Sequence, residues 1–510
     1  MAVETELKLE LDAIQVARLR RHPLWRQAQS VATRKLHSIY YDTPELDLWR
    51  AGVALRVRRV GRQWVQTIKS GGRVVAGLHE REETEHAVRT SQPDFSVLSG
   101  EALIAPLAVP GLLERLQPVF ITDFSRASRI LKPAPDVVIE ASIDRGHITN
   151  GRDTEPLCEL ELEVKTGPAW RAFQVALHLL ESIPMRIEQR SKAERGFAIA
   201  LAQPKVPRKT ARSPVTAVMS GNEAFAALVQ SCLQHYAVNQ RGMLAGGDIE
   251  YLHQMRVALR RLRCVLDTYA PLLGEAQLQQ PVGELRWLAG MLGQARDWDV
   301  FHAEVLPSIV ARYPAHAGMV SLARVAAQLR HTANRNARLA VTSMRGQGLL
   351  LKLAGWCSAQ TWRETLTAAQ RNDLDRPVRD WAQAVLAARQ RKVRKRGRHF
   401  GSLTPEGLHR LRIAAKKLRY GIEFFASLYD DGRAQRLRLI LGALQDALGA
   451  NNDAVTVAQL AVRATRNLSG PSADEARGIL FGWSAGLQDA GARGLHGVWK
   501  EYLAAKEFWD

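Results

Sequence analysis

The sequence has few cysteines and no long apolar segment. Its four cysteines, Cys158, Cys232, Cys264 and Cys357, lack the paired spacing of a metal site. No uninterrupted apolar run is long enough to span a bilayer. The N-terminal stretch MAVETELKLE is charged where a signal peptide needs an apolar core. We therefore expect a protein of the reducing cytoplasm with no membrane span.

Acidic residues are too few to balance the basic ones, and the deficit lies in one part of the chain. The 510 residues include 71 Lys and Arg against 51 Asp and Glu. The net charge is +2 over residues 1–200 and +18 over residues 201–510. A glycine-rich phosphate loop of the GxxxxGK[ST] type is absent. The length predicts two or three domains, of which the later part attracts polyanions.

A basic helical pattern occurs twice in the later part. Leu252–Arg263 reads LHQMRVALRRLR, and Leu408–Tyr420 reads LHRLRIAAKKLRY, 156 residues further on. At about 100° per residue, one histidine and three cations of each copy share one helix stripe beside an apolar face. The stripes consist of His253, Arg256, Arg260 and Arg263, and of His409, Arg412, Lys416 and Arg419.

The like charges within each stripe repel one another unless an anion lies opposite. The offset persists downstream at Gly293 and Gly449 and at Asp297 and Asp453, so we infer a duplicated helical bundle rather than a short solenoid repeat. A solvated basic face is the ordinary alternative. A metal site formed by the two histidines and the two aspartates is another, although a neutral histidine that orients an anion is favoured.

On these matched positions, the C-terminal portion resembles CHAD domains, the conserved-histidine α-helical domains that bind inorganic polyphosphate. The resemblance implies an all-α domain of two related bundles over residues 216–510, with polyphosphate bound by the two stripes. The basic run Arg389–Arg398 indicates a nucleic-acid patch, an extension of the same basic surface or a solvated helix end. Nucleic acid is the less favoured partner, because the stripes contain no aromatic residue for base stacking.

The first 200 residues predict an antiparallel β-barrel. Residues 3–10 alternate strictly, with Glu4, Glu6 and Lys8 on one face of a strand. Charges also alternate at Arg56 and Arg58, and within 81–85 and 159–165. Eight or so strands with few helices are typical of a closed barrel. The charged faces point either to water, as usual, or into a lumen where cations hold phosphate and carboxylates hold a divalent metal.

The same region resembles CYTH domains, the triphosphate tunnel metalloenzymes, whose eight-stranded tunnel hydrolyses or cyclises triphosphates. The resemblance rests on the ExExK of residues 4–8, YYDTP at 40–44, ALRVR at 54–58, TIK at 67–69, Phe124 with Arg126, Asp144 with Gly146, ELELE at 159–163 and SKAERG at 191–196. Ala193 departs from the family's usual aromatic residue. The resemblance covers roughly residues 1–202.

The resemblance implies a role for each matched residue. The implied metal ligands and water-positioning groups are Glu4, Glu6, Glu159, Glu161 and Glu163. The implied phosphate clamp is Lys8, Arg56, Arg58, Lys69, Arg81, Arg126 and Lys192, with Glu83 beside it. Of these, Glu4, Glu6, Lys8 and Lys192 are expected to be catalytic.

Residues 203–215 combine prolines with basic residues and predict a linker between the two domains. The sequence as a whole predicts an inorganic triphosphatase that depends on Mg²⁺ or Mn²⁺, with a basic helical domain that binds polyphosphate. It predicts a location in the cytoplasm, in association with polyphosphate granules. Two alternatives stay open: a polyphosphate-binding protein without catalysis, and a hydrolase of an organic triphosphate.

Overall fold

The computed structural model describes residues 2–98, 105–202, 206–429, 431–492 and 494–509, with side chains except at 2, 105, 431, 450–453 and 487–492. The chain divides into two compact units. The barrel unit comprises Met1–Val206 and Thr342–Gln360, and the helical unit comprises Pro207–Val341 and Thr361–Asp510. No described helix has the length and apolar character needed to cross a membrane.

The barrel unit is built on an antiparallel sheet that closes on itself. Its strands are β1 (Ala2–Glu10), β2 (Gln29–Ser30), β3 (Arg34–Asp42), β4 (Val53–Val60), β5 (Gln63–Val75), β6 (Leu78–Val88), β7 (Gln117–Ala134), β8 (Val137–Thr149), β9 (Thr154–Thr166) and β10 (Arg186–Ile187). The order is β1-β6-β5-β4-β3-β7-β8-β9, and β9 pairs again with β1. Eight strands therefore form the barrel, and the predicted antiparallel β-barrel is confirmed.

The alternation within β1 and β9 explains why the charged faces point inward. Leu7 and Leu9 on β1, and Leu160 and Leu162 on β9, are buried on the outer face of the barrel, where a helix packs against both strands. Because successive side chains of a strand point to opposite faces, the intervening charged residues point into the barrel. The alternative that these charged faces point to water therefore does not apply to β1 and β9.

The α-helices make up most of the remaining described regular structure. In chain order they are α1 (Ala13–Arg21), α2 (Pro23–Gln27), α3 (Asp47–Arg50), α4 (Leu112–Arg115), α5 (Trp170–Leu180), α6 (Lys192–Ala200), α7 (Gly221–Leu244), α8 (Ile249–Leu273), α9 (Glu275–Val300), α10 (Leu306–Val310), α11 (Ala317–Thr342), α12 (Met344–Ala359), α13 (Ala368–Asp375), α14 (Val378–Arg396), α15 (Pro405–Phe425), α16 (Asp431–Thr465), α17 (Pro471–Ala492) and α18 (Leu495–Ala504). The helix on β1 and β9 is α5. The basic patterns lie on α8 and α15, as the periodicity predicts.

Helix α12 belongs to the barrel unit although it follows α11 in the chain. It packs along α5, where Gly348 approaches Leu180 and Gly355 approaches Phe173. The buried side chain of Gln347 accepts a hydrogen bond of 3.0 Å from the backbone N–H of Ile187. The sequence-based boundaries at 202 and 215 do not anticipate this helix, since they assign its residues to the helical domain.

Residues 207–215 pack on the helical unit. The Asn239 side chain of α7 accepts a hydrogen bond from the backbone N–H of Arg208 and donates one to its carbonyl oxygen, each 2.9 Å long. Ser213 donates to the carbonyl oxygen of Phe424, and Val215 is buried. The described part of the predicted linker is therefore attached to α7 and α15.

We predict that Gln347→Ala destabilises the barrel unit. The substitution removes the acceptor for the buried N–H of Ile187, and an unpaired buried backbone group costs about 1–3 kcal/mol. Thermal or denaturant unfolding of the full chain measures the effect. Gln383→Ala, at an exposed position of α14, is the matched control. Equal stability of the two variants would show that the contact contributes nothing.

Candidate functional site

The barrel encloses a charged cavity of about 190 Å³. Its lining is Glu4, Glu6, Lys8, Tyr40, Ala54, Arg56, Arg58, Lys69, Arg81, Glu83, Glu85, Arg126, Glu161, Glu163, Lys165, Ser191, Lys192 and Ala193. The structure thus brings together every sequence-predicted site residue of this region except Glu159, which lies behind Lys192. Eight cations and six carboxylates meet in this lining, an arrangement suited to an anion held together with a cation.

Three buried carboxylates form one wall of the site. Ligand oxygens of Asp144, Glu159 and Glu161 all lie within 4.8 Å of one another. The Lys192 ammonium group lies 2.7 Å from Asp144 and 2.8 Å from Glu161, and it also pairs with Glu159. Lys8 pairs with Glu161 as well. Carboxylate oxygens in such a cluster are the donors that hard divalent cations prefer.

The strand register and one helix cap build this wall. Asp144 on β8 pairs directly with Glu159 on β9, and Glu161 pairs with Lys8 on β1. Lys192 occupies the first turn of α6, whose N-cap Ser191 accepts a hydrogen bond from the N–H of Glu194 and is itself bonded by that glutamate, a capping box. The cap fixes where α6 starts and so directs Lys192 toward the carboxylates.

Arg126 lines the cavity and also contacts the carboxylate wall. Its guanidinium group donates two hydrogen bonds to Asp144, of 2.8 and 2.7 Å, and also pairs with Glu161. Burial alone would raise the pKa of Glu161, but Lys192, Lys8 and Arg126 hold it well below its usual value. Burial raises the pKa of Glu159 although Lys192 acts to lower it, and the charge of Glu161 adds to the rise. One carboxylate is therefore firmly ionised and its neighbour is the easier one to protonate.

The opposite wall is crowded with cations. Burial, together with the neighbouring charges of Arg56 and Arg126, lowers the pKa of Arg58 to about 10. Its Nε donates to Ser38 Oγ at 3.0 Å. Arg56 reaches Glu83 at 3.3 Å, and Lys69 pairs with Glu4. The lowered pKa of Arg58 shows that its charge is incompletely balanced in the barrel, and an anion bound beside it would stabilise the charged guanidinium group.

The predicted metal ligands separate into two groups. Glu159 and Glu161 belong to the buried carboxylate cluster, together with Asp144. Glu4 instead pairs with Lys69, and Glu6 lies 2.7 Å from Lys8. Glu163 lies 2.5 Å from Lys165, near the C-terminal end of strand β9. In this arrangement, Asp144 joins the predicted ligands.

Sequence reasoning did not assign Asp144 to the site, and it also missed six residues that line the cavity: Tyr40, Ala54, Glu85, Lys165, Ser191 and Ala193. Tyr40, on β3, stacks on Phe120 at 4.4 Å between ring centroids. Burial raises the pKa of its phenol, but Arg56, Arg58 and Lys69 together bring it below the usual value. Ser191 lines the cavity as the cap of α6. The YYDTP and SKAERG motifs contain Tyr40 and Ser191, but a motif does not tell which of its side chains point inward.

Ala193 packs beside Tyr40 and Ala54 in a small apolar cluster with Phe120 and Phe197. Ala193 is the position at which the sequence departs from the aromatic residue usual in the resembling family. Ala193 is buried and lines the cavity together with Tyr40 and Ala54. Lys192 keeps its position beside it.

In the helical unit, the two basic stripes make matched contacts. Arg256 of α8 donates a hydrogen bond of 2.6 Å to the carbonyl oxygen of Gly293 and reaches Asp297 at 3.5 Å. The guanidinium group of Arg412 lies against Gly449, where a Cβ atom would be 3.5 Å from Nη2. These glycines stand at the same offset as the arginines. The side chain of Asp453, the predicted counterpart of Asp297, lies outside the described residues.

Helices α8 and α15 are also linked directly. Arg261 pairs with Glu423, and Lys417 lies 2.6 Å from Asp267. Burial lowers the pKa of His253, and Arg296, Arg260 and Arg256 lower it further, so its imidazole is neutral at neutral pH. His409 is exposed. The arrangement agrees with a neutral histidine among cations.

Comparison with known proteins defines the class to which the two units belong. The chain contains a CYTH domain at residues 2–197. A CHAD domain follows at residues 227–462, so the two domains together account for most of the chain.

Individual relatives match one or both domains. An inorganic triphosphatase of Haemophilus influenzae is 31% identical over 169 residues, which are 33% of this chain and 47% of that protein. The match thus spans about half the length of that relative. An uncharacterized protein of Mycobacterium tuberculosis is 26% identical over 444 residues, covering 82% of this chain and 81% of the relative. The crystal structure of the CHAD domain from the plant Ricinus communis covers 59% of this chain and 99% of that chain, with 28% identity and a TM-score of 0.52.

We predict that Asp144→Asn lowers the free energy of unfolding by about 3 kcal/mol, because it removes the buried countercharge of Arg126 and Lys192. Denaturant unfolding measures the loss. The matched control is Asp123→Asn, since Asp123 is half exposed and pairs only with the exposed His37 among the described side chains. A loss no larger than that of the control would mean that Asp144 does not stabilise the buried cations.

Proposed function

We propose that the barrel unit is a metal-dependent inorganic triphosphatase and that the helical unit binds inorganic polyphosphate. The observation that carries the first part is the cavity itself: mutually repelling cations face a buried carboxylate cluster inside a closed barrel. The CYTH domain and the similarity to an inorganic triphosphatase support the same activity.

The carboxylate wall fits a divalent metal. Asp144, Glu159 and Glu161 offer oxygen donors within 4.8 Å of one another, and Glu161 shares the cavity lining with Glu4 and Glu6. Mg²⁺ and Mn²⁺ are the ions that such donors favour. Bound there, a divalent ion supplies neutralisation of phosphate charge and polarisation of a phosphoryl oxygen.

The remaining residues bind and orient the substrate. Arg56, Arg58 and Arg126 surround the cavity and neutralise the phosphate oxygens, whose charge spreads further in a loose transition state. Lys8 and Lys192 hold the carboxylates in place and lie within reach of the same anion. Glu6, which shares the cavity with Lys8, is placed to orient a water molecule for in-line attack on the terminal phosphorus.

The lining favours an inorganic substrate. Among the described residues around the cavity, Tyr40 carries the one aromatic ring, and that ring is 4% exposed and already stacked on Phe120. A nucleotide base or a thiazole ring would find no free aromatic face in this lining. An unadorned triphosphate needs none, because its recognition is by charge.

Two alternatives from other classes are distinguished by experiment. A barrel that binds phosphate without catalysis would keep its cations but release no phosphate from triphosphate. A hydrolase of an organic triphosphate would prefer that substrate over inorganic triphosphate at equal concentration. A phosphate-release assay with both substrates and Mg²⁺ therefore decides among the three.

Polyphosphate binding by the helical unit rests on charge and on the two stripes. Residues 201–510 carry a net charge of +18. The stripes lie on helices that are linked to each other by ion pairs. Duplex DNA is the competing polyanion, and a direct comparison of affinities at one salt concentration distinguishes it from polyphosphate.

We predict that Glu4→Gln combined with Glu6→Gln abolishes triphosphate hydrolysis and leaves polyphosphate binding intact. The two carboxylates face the cavity, whereas the basic stripes lie in the other unit. Phosphate release and a polyphosphate-binding assay measure the two effects. Glu80→Gln combined with Glu82→Gln, between the inward-facing positions of β6, is the matched control. Hydrolysis at the parent rate would disprove the role of Glu4 and Glu6.

We also predict that the stripes act on one phosphate chain. Arg256→Ala with Arg260→Ala, and Arg412→Ala with Lys416→Ala, should each weaken binding severely, and the combined loss should depart from the sum of the separate losses. Two sites that engage one ligand are coupled in this way. Titration calorimetry with polyphosphate of one chain length measures both affinity and stoichiometry. Strict additivity, with half the stoichiometry lost in each double variant, would establish two independent sites.

A further inference from the structure

The basic run Arg389–Arg398 has two parts with different structural roles. Arg389 is largely buried: it donates hydrogen bonds to Thr268 and, at 2.7 Å, to the carbonyl oxygen of Lys417, and reaches Asp267 at 3.5 Å. It therefore holds α14 against α8 and α15. The later cations of the run are instead all exposed: Arg391, Lys392, Arg394, Lys395, Arg396 and Arg398.

One of these exposed cations, Arg394, lines a second cavity. The cavity has a volume of about 410 Å³ and is lined by Arg394, Arg433, Ala505, Lys506, Glu507 and Phe508. Three cations and one carboxylate thus meet at the end of α14, the start of α16 and the C-terminal segment. Among the side chains that the structure describes, no carboxylate forms an ion pair with Arg394, Arg433 or Lys506.

The elements that carry these cations are fixed by aromatic packing. Trp499 lies so close to Gly397 that a Cβ atom there would come within 2.2 Å of the indole ring. The same ring stacks on Phe400 with centroids 5.0 Å apart. Phe508 packs edge-on against Tyr429, and Phe508 and Trp509 are both buried, which anchors the segment with Lys506. The cations are consequently presented on a rigid base.

The second cavity lies at the end of α14 that adjoins the beginning of α15. The contacts of Arg389 with Lys417, and of Leu386 with Gly421, show that the two helices run antiparallel as neighbours. The end of α14 is therefore next to the turn of α15 on which His409 begins the second basic stripe. A chain bound along that stripe can continue onto the exposed cations of α14.

We propose that Arg394, Arg433 and Lys506, with the exposed cations of α14, form a further phosphate-chain site that extends the basic stripe of α15. The proposal rests on the polyphosphate binding proposed above and names an additional site for long chains. Its ligand is inorganic polyphosphate rather than nucleic acid. The described aromatic rings beside the cavity are buried or stacked on one another, so they leave no face on which bases could stack.

The test is the triple variant Arg394→Gln, Arg433→Gln and Lys506→Gln in the full-length protein. For polyphosphate of about 100 units, we expect about ten-fold weaker binding and a salt dependence of log K that is shallower by about 2, because three cations no longer displace counterions. For chains of about 10 units, which the stripes alone can hold, the change should stay within about two-fold. A thermal melt checks that the fold is retained.

The matched control is Arg18→Gln, Arg20→Gln and Arg21→Gln on α1, which removes the same charge from exposed positions of the barrel unit. Equal losses in the control and the test variant would show a non-specific charge effect and overturn the proposal. Equal losses for long and short chains would also overturn it, since the residues would then belong to the stripes. So would unchanged polyphosphate binding together with weaker binding of duplex DNA.

Failure of the proposed function gives a different result. If the unaltered protein does not bind polyphosphate at all, the function of the helical unit is wrong and the additional site falls with it. If the unaltered protein binds long chains and the triple variant binds them equally well, only the additional site is wrong.

Discussion

The ion pairs of Lys192 are the interaction on which the interior of the barrel depends. Three carboxylates, Asp144, Glu159 and Glu161, lie within 4.8 Å of one another and are buried, so without a countercharge their mutual repulsion and desolvation would oppose folding. The ammonium group of Lys192 contacts all three, and Lys8 and Arg126 complete the balance. The same pairs that stabilise the barrel also concentrate oxygen donors at one wall of the cavity. Stability and the proposed metal site therefore have one origin.

The sequence predicted the strands of the barrel and most of its cavity, because charge at every second position is a local pattern. It could not predict which carboxylates meet, because that depends on register between strands distant in the chain. Asp144 shows the difference. Its neighbours Ser142 and Gly146 on the same strand face carry no charge, so no alternation marks it, and only its pairing with Glu159 brings it to the cluster. Tyr40 was missed for a related reason, since a motif of two adjacent tyrosines does not reveal which ring points inward.

The helical part shows the same limit at a larger scale. Periodicity placed the basic helices α8 and α15, because their cations and apolar residues occupy separate faces. Helix α12 has a different pattern: Leu349, Leu350 and Leu351 are consecutive and all buried. A helix that is apolar around much of its surface is predicted to be buried, but the pattern cannot identify the partner. Here the partner is α5 of the barrel unit, which lies earlier in the chain and is known only from the fold.

The matched contacts of Arg256 and Arg412 bear on how the duplicated pattern works. A side chain at Gly293 would place its Cβ atom 3.3 Å from the guanidinium group of Arg256, closer than such contacts usually are, and a Cβ atom at Gly449 would lie in ordinary van der Waals contact with Arg412, at 3.5 Å. Each arginine is therefore seated against the backbone of a neighbouring helix, which restricts its rotamers before any ligand binds. Cations with restricted rotamers lose less conformational entropy when an anion binds, so more of the electrostatic attraction appears as binding affinity. Two such arginines in equivalent settings suit a ligand whose charges repeat along a chain, and a phosphate chain has that property.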